Sequence, residues 1–208
     1  MAVKFIKICG ITDKDQALKI SRLGATHIGV IYYEKSPRHT DLQKIKEIKN
    51  YVEKEAKIVA VTVNPSRESV QKLLDIVDMI QFHGDESIDF ISQFPLEKSI
   101  KAFRIKSEED IKKMTPFIKN GHYILIDAYK EGEYGGTGRQ IDPELARKVT
   151  DLYDRIILSG GLSPYNLKEL LDYINPYGID ASSKLELRPG IKDLKKVERF
   201  IKIAKMER

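Results

Sequence analysis

Eight short apolar runs, rich in β-branched residues, punctuate this chain. They are KFIKIC (4–9), HIGVIYY (27–33), IVAVTV (58–63), DMIQFH (78–83), SIKAFRI (99–105), YILIDA (123–128), RIILSG (155–160) and GIDASS (178–183). Each has the length and composition of a buried strand. Between them the apolar positions switch to helical spacing, near 13–23, 40–54, 66–75, 86–93, 107–119, 142–150, 163–174 and 192–206. Several of these segments open with cap chemistry. Asp13, Ser66, Ser107 and Ser163 stand just before a periodic stretch, and Pro143 and Pro164 suit a first helical position.

Eight strands and eight helices in strict alternation predict a parallel sheet with right-handed crossovers. Eight such units within 208 residues predict a compact (β/α)8 TIM barrel. The competing architecture is an open, doubly wound α/β sheet; eight units without a spare edge strand favour closure. No Pro-, Gly- or Ser-rich linker interrupts the series, so residues 1–208 read as one barrel domain.

Composition narrows the function classes. The chain is 41% hydrophobic and 32% charged, with a single cysteine and no tryptophan. One cysteine excludes an internal disulfide and any multi-cysteine zinc site. The net charge is +5, but the lysines are spread along amphipathic segments such as DLQKIKEIKNYVEKE. No basic block interleaved with stacking aromatics is present, so no nucleic-acid partner is expected. The first residues lack the apolar core and cleavage pattern of a secretory leader, and no run approaches the ~20 apolar residues of a membrane span. A soluble, cytoplasmic protein is expected. Tyr51 and Tyr173 read as exposed apolar groups that permit a homodimer without establishing one.

In a barrel of this kind the chemistry gathers at the C-terminal strand ends. Cys9 ends the first run, directly before Gly10. Arg38 follows Pro37 after the second run; a guanidinium there can clamp a carboxylate or phosphate, although taken alone it reads more readily as a surface arginine. In QFHGDE, Gln81 and His83 alternate with apolar residues and face either the barrel mouth or a satisfied core site. Asp127 closes the sixth apolar run, where an ionised carboxylate is costly unless used or paired. A loop with Gly135, Gly136, Thr137 and Gly138 follows, either a lid or a backbone cradle. The last two runs end in Gly160–Gly161 and Ser182–Ser183, where barrels commonly hold phosphate. The motifs GxxxxGK[ST], HExxH, GxSxG and GxGxxG are absent, and the four histidines and one cysteine show no metal-ligand spacing, so neither metal nor organic cofactor is expected.

These segments together resemble the phosphoribosylanthranilate isomerase family of tryptophan biosynthesis. KICGIT (7–12), SPR (36–38), QFHGDE (81–86), IDA with GGTG (126–138), SGGLSPYN (159–166) and GIDASSKLELRPGIKD (178–193) match it in order and place. The resemblance implies an Amadori rearrangement of phosphoribosylanthranilate with Cys9 as general base and Asp127 as general acid. It further implies Arg38 as ligand of the anthranilate carboxylate, and Gly160, Gly161, Ser182 and Ser183 as the phosphate segment. One position departs: Lys184 stands where the family commonly has glycine, so the loop either needs no left-handed residue there or is reshaped.

Three alternatives stay open on sequence. The related histidine-pathway isomerase performs the same chemistry but usually relies on two aspartates, whereas strand 1 here ends in Cys9. Indole-3-glycerol-phosphate synthase shares the phosphate platform but requires catalytic Lys and Glu at other strand ends. A non-catalytic sugar-phosphate-binding barrel has no need of an acid and a base facing each other.

Overall fold

The computed structural model describes residues 3–52, 54–128 and 141–206. Eight parallel strands close into a barrel in sequential order: β1 (Phe5–Cys9), β2 (His27–Tyr32), β3 (Lys57–Thr62), β4 (Met79–Phe82), β5 (Ser99–Ile105), β6 (Tyr123–Ala128), β7 (Ile156–Leu158) and β8 (Gly178–Ala181). Closure follows from pairing of β1 with both β2 and β8. The open-sheet alternative is thereby excluded.

Both faces of each strand are covered, which is why the strands read as nearly continuous apolar runs. One row points inward: Phe5, Val59, Met79, Ile100, Ala102, Leu125 and Ile157 fill the barrel interior. The other row, including Ile6, Ile8, Ile124 and Ile126, packs outward under the helices. The helices α1 (Lys14–Arg22), α2 (Leu42–Val52), α3 (Arg67–Leu74), α4 (Ile88–Ile91), α5 (Glu108–Lys119), α6 (Pro143–Leu152), α7 (Leu167–Tyr173) and α8 (Leu194–Lys205) form the outer ring. In α8, Val197, Phe200, Ile201 and Ala204 are buried, a single stripe at helical spacing.

Cap chemistry explains several helix starts. The Asp13 carboxylate accepts from the Gln16 N–H, and the Ser66 hydroxyl accepts from the Ser69 N–H. Pro143 lies in the first turn of α6, as expected. Ser107 occupies its cap position without a side-chain bond.

Three boundaries differ from the sequence expectation. Ser163 does not open a helix at 163; its hydroxyl and N–H both donate to the Asn166 side chain, and α7 begins only at Leu167. This local turn competes with the helix, as Ser and Asn side chains do. The expected helix at 86–93 shrinks to Ile88–Ile91, capped by Ser87, with a 3₁₀ turn at Leu96–Lys98 following Pro95. An unexpected two-stranded antiparallel ribbon, β9 (Glu186–Arg188) and β10 (Ile191–Lys192), precedes α8 and turns through Gly190. Tyr51 and Tyr173 are exposed, as read from sequence.

Candidate active site

The inward row of β1 is Phe5, Lys7 and Cys9, rising from the barrel floor to its mouth. Cys9 is buried, and its strand end is fastened to β2 because the Gly10 and Ile11 N–H groups both donate to the Gly29 carbonyl. Burial pushes the thiol above its ordinary value; the Lys7 ammonium opposes that rise, and Asp180 adds to it.

Asp127 ends the inward row of β6, with three steps round the barrel separating β6 from β1. Its Oδ1 accepts from the N–H of Ala128 at 2.8 Å, while Oδ2 lies 3.6 Å from His83 Nε2. Burial pushes this carboxyl up to about 7, with the Asp180 charge adding to the rise. A carboxylic acid that keeps its proton near neutrality is a competent general acid.

His83 and Gln81 sit together on the β4 side of the mouth, both buried, with Gln81 Nε2 and His83 Nδ1 2.8 Å apart. Burial and then the cations Lys7, Lys101 and Arg104 hold the imidazole down to about 3. A neutral His83 gives Asp127 no cation to pair with, so it leaves the carboxyl high. His83 Nε2 and Gln81 Oε1 are buried with no hydrogen-bond partner among the described residues, and both mark positions for ligand polar groups. The rest of QFHGDE is scaffold: Glu86 accepts from the N–H groups of Asn64 and Gly84 and from Lys101 Nζ, at 2.8, 3.2 and 2.8 Å.

Arg38 lies at the rim. Its Nε donates to Glu186 Oε1 at 2.9 Å and its Nη2 to Glu186 Oε2 at 2.7 Å. Glu186 also accepts from Lys192 Nζ at 2.7 Å. Burial works to raise the Glu186 carboxyl, but Arg38 and Lys192 hold it below its ordinary value. Lys192 Nζ further donates to the carbonyl of Ser182, whose hydroxyl donates to the Cys9 carbonyl at 3.0 Å. A continuous polar chain therefore joins the rim arginine to the strand end that carries the cysteine.

Of the expected phosphate segment, Gly160 and Gly161 adopt φ of 92° and 68°, a region closed to most side chains. A Cβ on Gly160 would stand 2.7 Å from the Ala128 nitrogen, so glycine lets this loop rest on the end of β6. Ser183 opens a 3₁₀ turn, Ser183–Leu185. The Ser182 hydroxyl donates to the Cys9 carbonyl and accepts from Lys192 Nζ at 3.3 Å. Lys184 is exposed and lacks a positive φ, so this chain needs no glycine at that position. Gly135, Gly136, Thr137 and Gly138 lie outside the described residues.

The structure brings Cys9, Asp127, Gln81, His83, Arg38, Gly160, Gly161, Ser182 and Ser183 to one end of the barrel. Sequence reading missed four charged residues there: Lys7, Asp180, Glu186 and Lys192. Lys7 and Asp180 form a buried ion pair at 2.9 Å. Their signal was strand parity, since Lys7 shares the inward row with Cys9. Among the described residues no group of three or more His, Cys, Asp or Glu side chains is placed to hold a metal ion.

Comparison with known proteins agrees with this geometry. A sequence profile of the family described as N-(5'-phosphoribosyl)anthranilate isomerase matches residues 6–203. The curated N-(5'-phosphoribosyl)anthranilate isomerase of Sulfurihydrogenibium sp. (strain YO3AOP1) is 56% identical over 200 residues, covering 96% of this chain and 98% of that protein. The crystal structure of phosphoribosyl anthranilate isomerase from Thermotoga maritima superimposes with a TM-score of 0.87 at 30% identity, covering 97% of this chain and 98% of that one. A phosphoribosyl anthranilate isomerase crystallised with reduced 1-(o-carboxyphenylamino)-1-deoxyribulose 5-phosphate gives a TM-score of 0.84 at 30% identity, with 97% and 98% covered.

Proposed function

The chain belongs to the phosphoribosylanthranilate isomerase family, and we propose that Cys9 and Asp127 carry that family's reaction here as base and acid. The activity is the isomerisation of N-(5-phosphoribosyl)anthranilate to 1-(2-carboxyphenylamino)-1-deoxyribulose 5-phosphate, a step of tryptophan biosynthesis. The observation that carries the residue assignment is a buried carboxyl pushed up to about 7 on β6, three strands round the mouth from the chain's one thiol.

The chemistry follows from that placement. Asp127 gives its proton to the furanose ring oxygen. The C1′–O bond breaks as the anthranilate nitrogen lone pair forms the C1′=N bond, leaving an open protonated Schiff base. The Cys9 thiolate then removes the C2′ proton. The C–H electrons form C1′=C2′, and the C=N electrons return to nitrogen. The resulting enolamine tautomerises to the aminoketone. Every electron pair released is taken up within the substrate, so no redox change occurs.

Binding is assigned on the same basis. Arg38 presents the guanidinium edge that Glu186 does not use to the anthranilate carboxylate. Gln81 and His83 meet the sugar hydroxyls through their unpartnered atoms. The backbone at Gly160–Gly161 and Ser182–Ser183 receives the phosphate. A reducing cytoplasm suits a base that must remain a free thiol. No helix among the described residues is long and apolar enough to cross a membrane.

The test is decay of anthranilate fluorescence on mixing the purified protein with fresh phosphoribosylanthranilate. Turnover reduced about a hundredfold or more in both Cys9→Ala and Asp127→Asn, with product-analogue affinity retained, supports the roles. Full turnover in either variant overturns its assignment.

A further inference from the structure

We propose that the buried Lys7–Asp180 ion pair positions charge for the two reacting groups, its ammonium end favouring the thiolate of Cys9 and its carboxylate end keeping the proton on Asp127. The proposal deepens the acid–base reading above and rests on it. Lys7 and Asp180 are positioning residues, acting through Cys9 and Asp127.

The register builds the pair. Lys7 on β1 and Asp180 on β8 are direct Cα partners, and Nζ meets Oδ1 at 2.9 Å. The Lys7 side chain is fully buried, and its ammonium donates to Asp180 Oδ1. A solvent-excluded ammonium is costly to keep, and an apolar pair of similar volume usually serves stability as well. Fold maintenance therefore gives a weak reason for this one.

Its placement gives a stronger reason. Cys9 is two residues above Lys7 on the same inward row, and its Cα partner on β2 is Gly29. A Cβ on Gly29 would stand 2.7 Å from Cys9 Sγ and 2.9 Å from Lys7 Cε. Both side chains thus lean over the same bare patch of backbone, which brings the end of the Lys7 chain beside the sulfur. On the opposite side, Asp180 Oδ2 accepts from the Ser159 hydroxyl at 3.5 Å, at the end of β7. The next strand is β6, with Asp127. The order round the mouth is therefore Asp127, Asp180, Lys7 with Cys9: acid, negative charge, positive charge, base.

Among the described residues other charges face these groups, and none reproduces this arrangement. Lys192 on β10 also favours the Cys9 thiolate, but it is engaged by Glu186. Arg38 lies beyond it, locked to the same Glu186. Asp127 is faced by neutral His83 from β4 and by Arg104, its register partner on β5. Among the described residues the Asp180 carboxylate is the anion that opposes ionisation of Asp127, and its effect outweighs that of Lys7, which acts the other way.

The arrangement answers a specific difficulty. Asp127 titrates near 7 and the buried thiol above its ordinary value, so the first proton to leave comes from the carboxyl. The productive form, with the proton on Asp127 and the charge on Cys9, is then a minor tautomer of the singly protonated pair. A dipole with its positive end at Cys9 and its negative end toward Asp127 enlarges that minor share.

Cys9 is the chain's one cysteine, so the pH midpoint of iodoacetamide alkylation reports it alone. The ascending limb of kcat/KM reports Asp127. Lys7→Met is expected to raise the alkylation midpoint by about one pH unit or more, a tenfold loss of thiolate at fixed pH. Asp180→Asn is expected to lower both midpoints. The double variant leaves no unpaired buried charge and is expected to fold; in it the alkylation midpoint rises while the ascending limb falls. Opposite shifts in one folded protein are what a purely structural pair cannot give. An alkylation midpoint unmoved or lowered in Lys7→Met and the double variant overturns the proposal. So does an ascending limb unmoved or raised in Asp180→Asn and the double variant, and so does a double variant that fails to fold. Alkylation reads the ionisation of Cys9 whether or not Cys9 is the base, so turnover of Cys9→Ala separates failure of this proposal from failure of the assignment beneath it.

Discussion

Glu186 grips Arg38 from behind with two parallel hydrogen bonds, Nε to Oε1 at 2.9 Å and Nη2 to Oε2 at 2.7 Å. The carboxylate fixes the guanidinium plane at the rim, so the edge offered to a ligand is set before the ligand arrives. Preorganisation of this kind lowers the ordering cost of binding. Arg38→Ala is expected to weaken substrate and product-analogue binding by about 2–4 kcal/mol. KM should rise more than kcat falls. Arg38→Lys should recover little, because an ammonium cannot replace the planar fork. Titration calorimetry with a product analogue checks this, and unchanged affinity in Arg38→Ala would remove Arg38 from the carboxylate site.

Cys9→Ala should leave the fold and ligand affinity nearly intact while kcat falls by roughly 10²–10⁴. Cys9→Ser should fare little better, since a hydroxyl is a far poorer base than a thiolate. Asp127→Asn should lose kcat on a similar scale, because an amide has no proton to give the ring oxygen. The two losses should not add, since both groups serve one proton-transfer sequence. Alkylation should inactivate the enzyme, and a bound product analogue should protect it. If Cys9 is only core filler, its replacement costs about 1 kcal/mol of stability and spares turnover, which is the contrary result.

Lys184→Gly should change phosphate affinity by less than about tenfold. Lys184 is exposed, sits in a 3₁₀ turn and has no left-handed φ, so neither its charge nor its backbone is committed to the site. Inorganic phosphate competition against a product analogue measures it. A loss of several orders of magnitude would mean that the lysine folds over the anion on binding.

Burial lowers the pKa of three histidines, His27, His83 and His122, and so makes the fold acid-sensitive, while one carboxyl works against them. His27, stacked on Phe5 at the barrel floor at 3.7 Å, and His83 at the mouth are each held down to about 3, burial being the largest cause. A depressed histidine binds more protons unfolded than folded, so stability falls as pH drops below about 6.5 towards 3. Between pH 6.5 and 4.5 His27 and His83 should each remove about 2–3 kcal/mol, and Asp127, raised to about 7, should return a similar amount over the same range. His27→Phe should therefore flatten the acid loss. Urea unfolding at pH 7.5 and 4.5 decides it, and an unchanged pH slope in the variant would show that His27 does not titrate in the folded state as described.

The barrel was legible because short apolar runs alternate with helically spaced segments, and because that alternation constrains topology so tightly. The mouth was legible where a residue breaks an apolar run at its end, as Cys9 and Asp127 do. Lys7 and Asp180 escaped notice because a lysine or aspartate inside a strand ordinarily marks a solvent face. In a closed barrel neither face is solvent, and the inward parity of Phe5, Lys7 and Cys9 obliged Lys7 to be buried and paired. Its partner depends on the register of β1 against β8, strands separated by nearly the whole chain, which no local pattern encodes. Glu186 and Lys192 lie on a two-stranded ribbon that the sequence did not announce, Glu186 in a stretch that reads as loop and Lys192 at the start of the segment read as the last helix. Ser163 misled because the bonds it makes to Asn166 imitate a helix cap while delaying the helix.

Asp127→Asn should make the protein more stable than the wild type above pH 7. The folded-state pKa of Asp127 is about 7 against an ordinary value of 3.8, so the folded state binds more protons than the unfolded chain between those values. Stability from this group therefore falls as pH rises through the window, and the full cost is present above 7. An uncharged asparagine escapes that cost. At pH 8 the variant should exceed the wild type by about 2–4 kcal/mol, and the gap should close as pH falls towards 4. A site that holds an acid protonated by excluding water must store that strain in the ionised resting state, and relieving it should cost turnover. Denaturant midpoints of both proteins at pH 8 and pH 4.5 test the sign. A variant less stable at pH 8, or a gap that does not change with pH, would show that Asp127 is not held high by its surroundings, and the case for it as the acid would lose its electrostatic support.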